Sequence, residues 1–256
     1  MLGVIKPKMS VIDTRQTSYS VMMKPQIRLS HMLLIALGLA FILFLLVQGW
    51  FFVQVWQLKT HNPETTAFMR ARQALVRSTH PQAQLHYQWV NERDIAPIAK
   101  RAVVASEDDR FMDHHGFDWT GIQDAFEKNL ANGEFASGGS TISQQLARNL
   151  FLSPSKNLLR KGEEALITVM LETTLGKRRI LALYLNVAEW GDLLYGIDAA
   201  SRYYFHKPPS SLTAHEAAIL AAMLPNPRFY QTNPTAQSLQ KRIRAVESRM
   251  NASRIP

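Results

Sequence analysis

Residues 107–116 read EDDRFMDHHG, an acidic run followed by an aromatic residue and two histidines. Further along the chain, residues 138–145 read GGSTISQQ and residues 160–164 read RKGEE. Each stretch places charges or hydrogen-bond donors where a globular helix does not need them. Together they supply two carboxylates, Glu107 and Glu164, and several cations. That combination suits chemistry on a sugar that carries a phosphate.

Each of these stretches has an ordinary explanation when it is taken alone. An acidic run is usually a solvated helix face, and a Gly-Gly before Ser or Thr is usually a turn with a helix cap. Lys and Arg near Glu usually form surface ion pairs that stabilise little. The order and spacing of all three stretches favour a shared site instead.

The composition is that of a globular or membrane-associated chain. Its 256 residues predict one or two domains, and its apolar content excludes a disordered chain. Cysteine is absent, which rules out disulfides and thiolate metal sites. A formal net charge of +9 favours anionic lipid or phosphate partners. No nucleic-acid-binding motif accompanies that charge, so nucleic acid is not an expected partner.

An uncharged run from Met32 to Trp56 is long enough to cross a membrane. Its 25 residues contain only two strongly polar positions, Gln48 and Gln54, and a helix needs about 20 apolar residues to span a bilayer. Aromatic residues cluster at its C-terminal end, as in an interfacial belt. The alternatives are a buried core helix and a cleaved signal peptide, but a signal peptide has a shorter apolar region and ends in small residues. We predict an uncleaved anchor.

The charges that flank this run predict its orientation. Residues 1–28 carry five basic side chains against Asp13, a local charge of +4. A short basic tail stays in the cytoplasm, whereas a long domain translocates largely regardless of its charge. The sequence therefore predicts a cytoplasmic tail over residues 1–30, a transmembrane anchor over 31–57 and an external domain over 58–256.

The external domain is predicted to be mainly α, with at most minor strand. Apolar residues keep a period near 3.6 from residue 95 to 106, and a stripe of Ile180, Leu181, Tyr184 and Leu185 follows the same period. No stretch shows the alternation and turn residues of a β-hairpin.

Helix ends are also marked in the sequence. Thr141 with Gln144 and Thr213 with Glu216 have the spacing of capping boxes, which predict helix starts. Residues 164–175 are predicted as a helix that ends at a glycine.

Glu107, Phe111 and His114 are spaced i, i+4 and i+7, so a helix would place them on one face. Phe111 would anchor that face in the core and leave the other two at the edge of a cleft. A carboxylate held there can act as a general acid or base. Adjacent histidines point in different directions, so His114 and His115 are not expected to bind a metal together.

The other two stretches suit phosphate. Gly138 and Gly139 allow close approach of the backbone to a ligand, and the helix N-terminus after them offers free N–H groups. Arg148 can contact a phosphate with two hydrogen bonds, and Arg160 and Lys161 add two more cations. The pattern is not a P-loop, because no Gly-Lys-Ser/Thr ending is present.

These residues resemble the peptidoglycan glycosyltransferases (glycosyltransferase family 51), in particular the monofunctional biosynthetic transglycosylases of Gram-negative bacteria. The family's Glu-Asp-x-x-Phe-x-x-His-x-Gly, Gly-Gly-Ser-Thr-Ile-Ser-Gln-Gln and Arg-Lys-x-x-Glu motifs are met at 107–116, 138–145 and 160–164. Ile-Leu-x-x-Tyr-Leu-Asn is met at 180–186, and Tyr-Phe followed by a basic residue at 204–207. The resemblance covers about residues 85–230.

The resemblance implies a lysozyme-like α fold with a membrane-associated jaw. It also implies polymerisation of lipid II in the periplasm, on the outer face of the bacterial inner membrane. Glu107 would be the general base that takes the proton from the 4-hydroxyl of the acceptor sugar. An α-linked donor would give a β-1,4 product by inversion, and undecaprenyl pyrophosphate would leave.

The resemblance further implies a set of site residues. Glu107 and Glu164 would be catalytic, and a divalent ion (Mg or Mn) beside Glu164 at the pyrophosphate is compatible with the resemblance but not required by it. Substrate binding is expected of His114, Gly139, Ser140, Thr141, Gln144, Gln145, Arg148, Arg160 and Lys161. Position 148 is usually Lys in the family, so the Arg found here keeps the charge but changes its shape.

The expected partners are lipid II, the lipid-linked glycan chain and the membrane, with division or cell-wall synthesis proteins as candidates. A lysozyme-type hydrolase also uses a Glu in an α fold, but it does not explain the cations or the anchor. A bifunctional penicillin-binding protein is suggested only by Ser153-Pro-Ser-Lys156, and no Lys-Thr/Ser-Gly follows it. A non-catalytic membrane scaffold would not need both acids.

Overall fold

The computed structural model describes residues 29–124, 139–155 and 157–256. The described residues divide into two units, with the boundary between residues 46 and 47. The fold is mainly α, as the sequence predicts. Its helices are α1 (Leu29–Gln57), α2 (Ala67–Arg77), α3 (Pro97–Glu107), α4 (Ile142–Phe151), α5 (Leu158–Thr174), α6 (Lys177–Val187), α7 (Ile197–Phe205), α8 (Ala214–Met223), α9 (Pro227–Thr232) and α10 (Gln237–Arg249). Residues 119–124 are also helical.

Helix α1 carries the apolar run. Residues Ser30–Gln57 are long and apolar enough to cross a membrane, with a mean hydropathy of 2.6, and their side chains are largely exposed. This is consistent with a single-pass anchor. In the second unit the last turns of α1 belong to the domain, because Val55 and Leu58 are buried in its core. There the polar Gln48 donates through Nε2 to both carboxylate oxygens of Glu163, at 2.9 and 3.1 Å.

The core of the second unit is built around two helix layers. Helix α3 packs against α8, which in turn packs against α10, while α4 packs against α2, α5 and α6. Helix α6 lies at the centre, because every residue from 180 to 187 is buried. The predicted apolar stripe on α6 is therefore buried. The opposite side of this helix is buried as well, so α6 has no solvent-exposed face over residues 180–187.

Both predicted capping boxes are present. The hydroxyl oxygen of Thr141 accepts the backbone N–H of Gln144, whose side chain accepts in return from the Thr141 N–H, and Thr213 and Glu216 form the same pair. Each cap satisfies backbone donors that the first helical turn leaves free, and such a cap stabilises by about 1 kcal/mol.

Two predicted helix limits were wrong. Helix α3 ends at Glu107 because Asp108, with φ −165° and ψ 71°, leaves the helical conformation, so residues 107–114 do not share a helix face. Phe111 is nevertheless fully buried, from the turn that follows. Helix α5 begins at Leu158, earlier than residue 164, because the Asn157 side chain accepts the Arg160 N–H and caps it.

The minor strand content is a three-stranded sheet in the order β1 (His86–Tyr87), β3 (Leu194–Tyr195) and β2 (Glu189–Gly191). Strand β3 runs parallel to β1 and antiparallel to β2. The turn into α7 passes through Gly196 at φ 82°, where a Cβ atom would lie 2.7 Å from the Asn186 carbonyl oxygen. Only glycine fits there without strain.

Candidate active site

Glu107 is the last residue of α3 and points into a cleft that we call the Glu107 cleft. This cleft has a volume of about 140 Å³, and Glu107, Asp109, Asp118, Gly139, Ser140, Thr141 and Arg249 are among the residues that line it. The amide Nε2 of Gln145 donates to Glu107 Oε2 at 2.8 Å, and the Ser106 hydroxyl lies 3.3 Å from Oε1. Ser106 also donates to the Ala221 carbonyl of α8 at 2.9 Å. The neutral amide of Gln145 therefore supplies the main hydrogen bond to the carboxylate, and the single hydroxyl hydrogen of Ser106 is shared between Glu107 and Ala221.

Burial raises the pKa of Glu107, because a charged carboxylate is poorly solvated there. The hydrogen bonds from Gln145 and Ser106, and the positive charges of Arg242 and Arg148, oppose that rise without cancelling it. A carboxylate with a raised pKa is a stronger proton acceptor once it is ionised, which is what a general base requires.

Asp108 joins the first stretch to the start of α4. Its Oδ2 accepts the backbone N–H of Ile142 at 2.9 Å, and its Oδ1 accepts from His114 Nε2 at 2.9 Å. A carboxylate at a helix N-terminus also interacts favourably with the helix dipole. Asp108 thereby sets the position of α4, the helix that carries Gln145 and Arg148 to the site.

His114 makes two hydrogen bonds within the chain, and its substrate contact stays a prediction. Its Nδ1 accepts the Gly116 N–H at 3.1 Å while Nε2 donates to Asp108, so both ring nitrogens are used within the chain. The side chain is buried and lies outside the Glu107 cleft. Gly116 itself, at φ 97°, packs so closely on α5 that a Cβ atom would lie 2.8 Å from a methyl group of Thr168.

The second stretch divides into structural and cleft-lining residues. Thr141 and Gln144 are buried in the capping box, and the Thr141 hydroxyl also donates to the Gly116 carbonyl at 2.6 Å. Gly139, Ser140 and Thr141 line the Glu107 cleft, whereas Gly138 lies outside the residues that the structure describes. Thr141 therefore caps α4 and also lines the Glu107 cleft, whereas Gln144 does not line it.

The predicted cations line a second, larger cleft of about 500 Å³, here called the cation cleft. Ser140 lines both clefts, so they are neighbours. The polar residues around the cation cleft include Gln145, Arg148, Asn149, Arg160, Lys161, Glu164, Tyr184, Glu189 and Arg228.

Glu164 is almost fully buried beneath this cleft, between two of its cations. Its Oε2 accepts from Arg160 Nη1 at 2.7 Å, and its Oε1 forms an ion pair with Lys161. Lys161 also reaches the Ser140 hydroxyl at 3.5 Å. Among the described residues Arg148 Nε is buried without a hydrogen-bond partner. The cleft therefore holds guanidinium and ammonium groups in fixed positions, with positive charge in excess, as an anionic ligand requires.

The donors at Glu164 do not suit a divalent ion. Both carboxylate oxygens are already engaged by Arg160 and Lys161, and the parts of the chain that the structure describes contain no group of three or more His, Asp or Glu side chains that could hold a metal. A hard cation needs several free oxygen ligands.

Sequence reasoning missed three residues of the cation cleft. Tyr184 donates from its hydroxyl to Gln145 Oε1 at 3.0 Å, and Arg228 forms an ion pair with Glu189 at 3.4 Å. Burial raises the pKa of Glu189. Tyr184 stands inside a recognised motif, which was the available signal. Glu189 and Arg228 have no recognisable sequence pattern, because β2 and α9, which carry them, come together only in the folded chain.

Comparison with known proteins places this site in a family. Residues 72–251 match the family model described as transglycosylase. A "Biosynthetic peptidoglycan transglycosylase" of Laribacter hongkongensis (strain HLHK9) is 53% identical over 214 residues, which cover 84% of this chain and 94% of that protein. Proteins of the same name are 50% identical over 229 residues in Chromobacterium violaceum, covering 90% of this chain and 99% of that protein, and 56% identical over 196 residues in Azoarcus sp. (strain BH72), covering 77% and 85%.

Proposed function

The chain belongs to the transglycosylase family and is an enzyme, a peptidoglycan glycosyltransferase; we propose that it polymerises lipid II into β-1,4-linked glycan strands and releases undecaprenyl pyrophosphate. The observation that carries the proposal is the pairing of two adjacent clefts. One contains Glu107, a desolvated carboxylate, and the other is lined by Arg148, Arg160 and Lys161. A glycosyl transfer from a sugar pyrophosphate needs a base at one end and positive charge at the other.

In the proposed reaction Glu107 takes the proton from the 4-hydroxyl of the acceptor sugar. The oxygen forms a bond to the anomeric carbon of the donor, while the bond from that carbon to the pyrophosphate oxygen breaks. The leaving pyrophosphate keeps the electron pair. Attack from the face opposite the leaving group converts the α-linked donor into a β-1,4 product. The raised pKa of Glu107 supports this role, because a general base works best when its pKa approaches the working pH.

The leaving group gains negative charge as its bond breaks. Arg148, Arg160 and Lys161 would bind its oxygens, and fixed cations at such a place stabilise the transition state more than the ground state. Glu164 would act on the substrate through its partners, since it holds Arg160 and Lys161 in position. Gly139, Ser140, Thr141 and Gln145 would also contact the substrate, because they line the two clefts.

The apolar helix suggests how the enzyme meets a lipid-linked substrate. We propose residues 1–30 as a cytoplasmic tail, 31–57 as the transmembrane anchor and 58–256 as the periplasmic catalytic domain. A topology reporter fused after Pro256 should be active only outside the cytoplasm. A reporter active in the cytoplasm would reverse this topology and separate the enzyme from an externally presented substrate.

Polymerisation of lipid II by the detergent-solubilised full chain tests the proposed activity. We expect long β-1,4 glycan that stays linked to lipid, with purified sacculi left intact. A lysozyme-type hydrolase also uses a glutamate, but it needs no binding site for pyrophosphate. If the protein released muropeptides from sacculi and left lipid II unconsumed, it would be a lysozyme-type hydrolase and not a synthase.

A further inference from the structure

Two consecutive hydrogen bonds connect helices α6, α4 and α3 at Glu107. The Tyr184 hydroxyl of α6 donates to Gln145 Oε1 at 3.0 Å, and Gln145 Nε2 of α4 donates to Glu107 Oε2 at 2.8 Å. Tyr184 is buried, with 1% of its surface exposed. The residues lie 38 and 39 positions apart along the chain, so only the packing of α3, α4 and α6 brings them together.

The direction of these bonds depends on which way the Gln145 amide points. An amide has an accepting oxygen on one side and a donating NH2 group on the other. If the amide were reversed, its oxygen would face Glu107, which is favourable only when Glu107 is protonated. The Tyr184 hydroxyl hydrogen would then lose its acceptor, and no second acceptor for it is found in the described part of the chain. A buried donor without an acceptor is costly, so Tyr184 disfavours the reversed amide.

We propose that Tyr184 is a positioning residue for the base: its hydroxyl fixes the Gln145 amide with its N–H toward Glu107, and thereby favours the ionised carboxylate that accepts the proton. This inference rests on the proposed function, in which Glu107 is that base. Tyr184 itself remains a neutral phenol, since burial raises its pKa and the nearby charge of Glu107 raises it further.

Several charged groups face Glu107 from the surrounding elements, and they bear on its ionisation independently of Tyr184. Arg148 of α4 and Arg242 of α10 favour the ionised form. The Glu107 cleft is also lined by the charged residues Asp108, Asp109, Asp118 and Arg249. These charged groups remain in place when only the Tyr184 hydroxyl is removed. A change in the ionisation of Glu107 would therefore reflect a change in the orientation of the Gln145 amide.

The test is the pH dependence of kcat/KM for lipid II polymerisation by the full chain carrying Tyr184→Phe. The substitution removes the donor to Gln145 Oε1, while Glu107 and the Ser140 carbonyl, 3.4 Å away, still hold the amide Nε2. The reversed amide becomes less unfavourable, so the acid limb should move to higher pH by about 0.5–1 unit, the size expected for one lost hydrogen bond. The rate should fall by about 3- to 10-fold below the limb and by less than about 2-fold on the plateau above it. An acid limb that stays at its wild-type pH, or a loss of equal size at every pH, would overturn the proposal.

Tyr87→Phe is the matched control. Its hydroxyl also donates a hydrogen bond, to the Pro63 carbonyl at 2.6 Å, and it lines neither cleft. We expect its acid limb to coincide with that of the wild type. A shift equal to that of Tyr184→Phe would mean that any lost phenol hydroxyl moves the profile, which contradicts a specific role.

A double substitution separates positioning from packing. In the Gln145→Ala background there is no amide to orient, so adding Tyr184→Phe should leave the acid limb where Gln145→Ala alone puts it. A further shift in the double variant would show that Tyr184 acts on Glu107 by another route. The base assignment fails separately, through an active Glu107→Gln enzyme, so its failure and that of the Tyr184 role can be told apart.

Discussion

Glu107 and Glu164 are the same side chain in opposite surroundings. Glu107 has neutral hydrogen-bond donors and a raised pKa, whereas Glu164 is buried between Arg160 and Lys161. A carboxylate among neutral donors can exchange a proton with a substrate hydroxyl, whereas the two ion pairs of Glu164 fix the positions of Arg160 and Lys161. The surroundings, and not the residue type, therefore separate the proposed base from a carboxylate that orders two cations.

The largest effect expected is on catalysis at Glu107. Glu107→Gln keeps the size of the side chain but cannot accept a proton, so lipid II polymerisation should fall by at least about 10²-fold. The fold and lipid binding should be preserved, as judged by circular dichroism and a binding assay. Near-wild-type polymerisation by this variant would show that Glu107 is not the base. Glu107 and Glu164 would then not differ in the way proposed.

The cation cleft gives a second, graded test through Arg148. Arg148→Ala removes a cation from the developing pyrophosphate and should lower kcat by about 10²-fold, the usual cost of losing one fixed donor. Arg148→Lys keeps the charge and restores the side chain that is usual in the family, so much of the rate should remain. Equal rates for the Ala and Lys variants would exclude a phosphate-binding role at this position.

The two capping boxes offer a matched pair for separating stability from activity. Thr141→Ala and Thr213→Ala each remove a helix cap and should lower the free energy of unfolding by about 1–2 kcal/mol in chemical denaturation. Only Thr141 caps the helix that carries Gln145 and Arg148, so only its substitution should also lower the polymerisation rate. Loss of activity in both variants would mean that general stability, not the placement of α4, controls the rate.

The smallest effect expected is on the pH dependence of the free energy of unfolding. The folded protein holds the Glu107 pKa above the unfolded value of 4.5, so ionising this group on raising the pH costs the folded state more than the unfolded state. Glu107→Gln should therefore be more stable than the wild type at neutral pH, with the difference vanishing below about pH 4.5. A thermal-melting series across pH measures this, and a constant difference at every pH would contradict the raised pKa.

Local patterns predicted local structure well. The Thr141–Gln144 and Thr213–Glu216 spacings located two helix starts, because a cap is made within four residues of the chain. The period of residues 95–106 and the length of the apolar run located α3 and α1 for the same kind of reason. The error at residues 107–114 came from extending a helical period past Asp108, whose conformation is set by its contacts with His114 and Ile142.

By itself the sequence determined the helical class, the apolar helix and the family, since these depend on residue type and on short spacings, and it predicts the acids and cations of the site. Only the tertiary structure decided which residues line the two clefts. It turned His114 and Gln144 inward, brought Tyr184 to Gln145, and placed Ile142 on Asp108 across 34 residues. The physical reason is that a buried polar group must find a partner wherever packing supplies one. That partner is chosen by the arrangement of α3, α4 and α6, which no local pattern encodes.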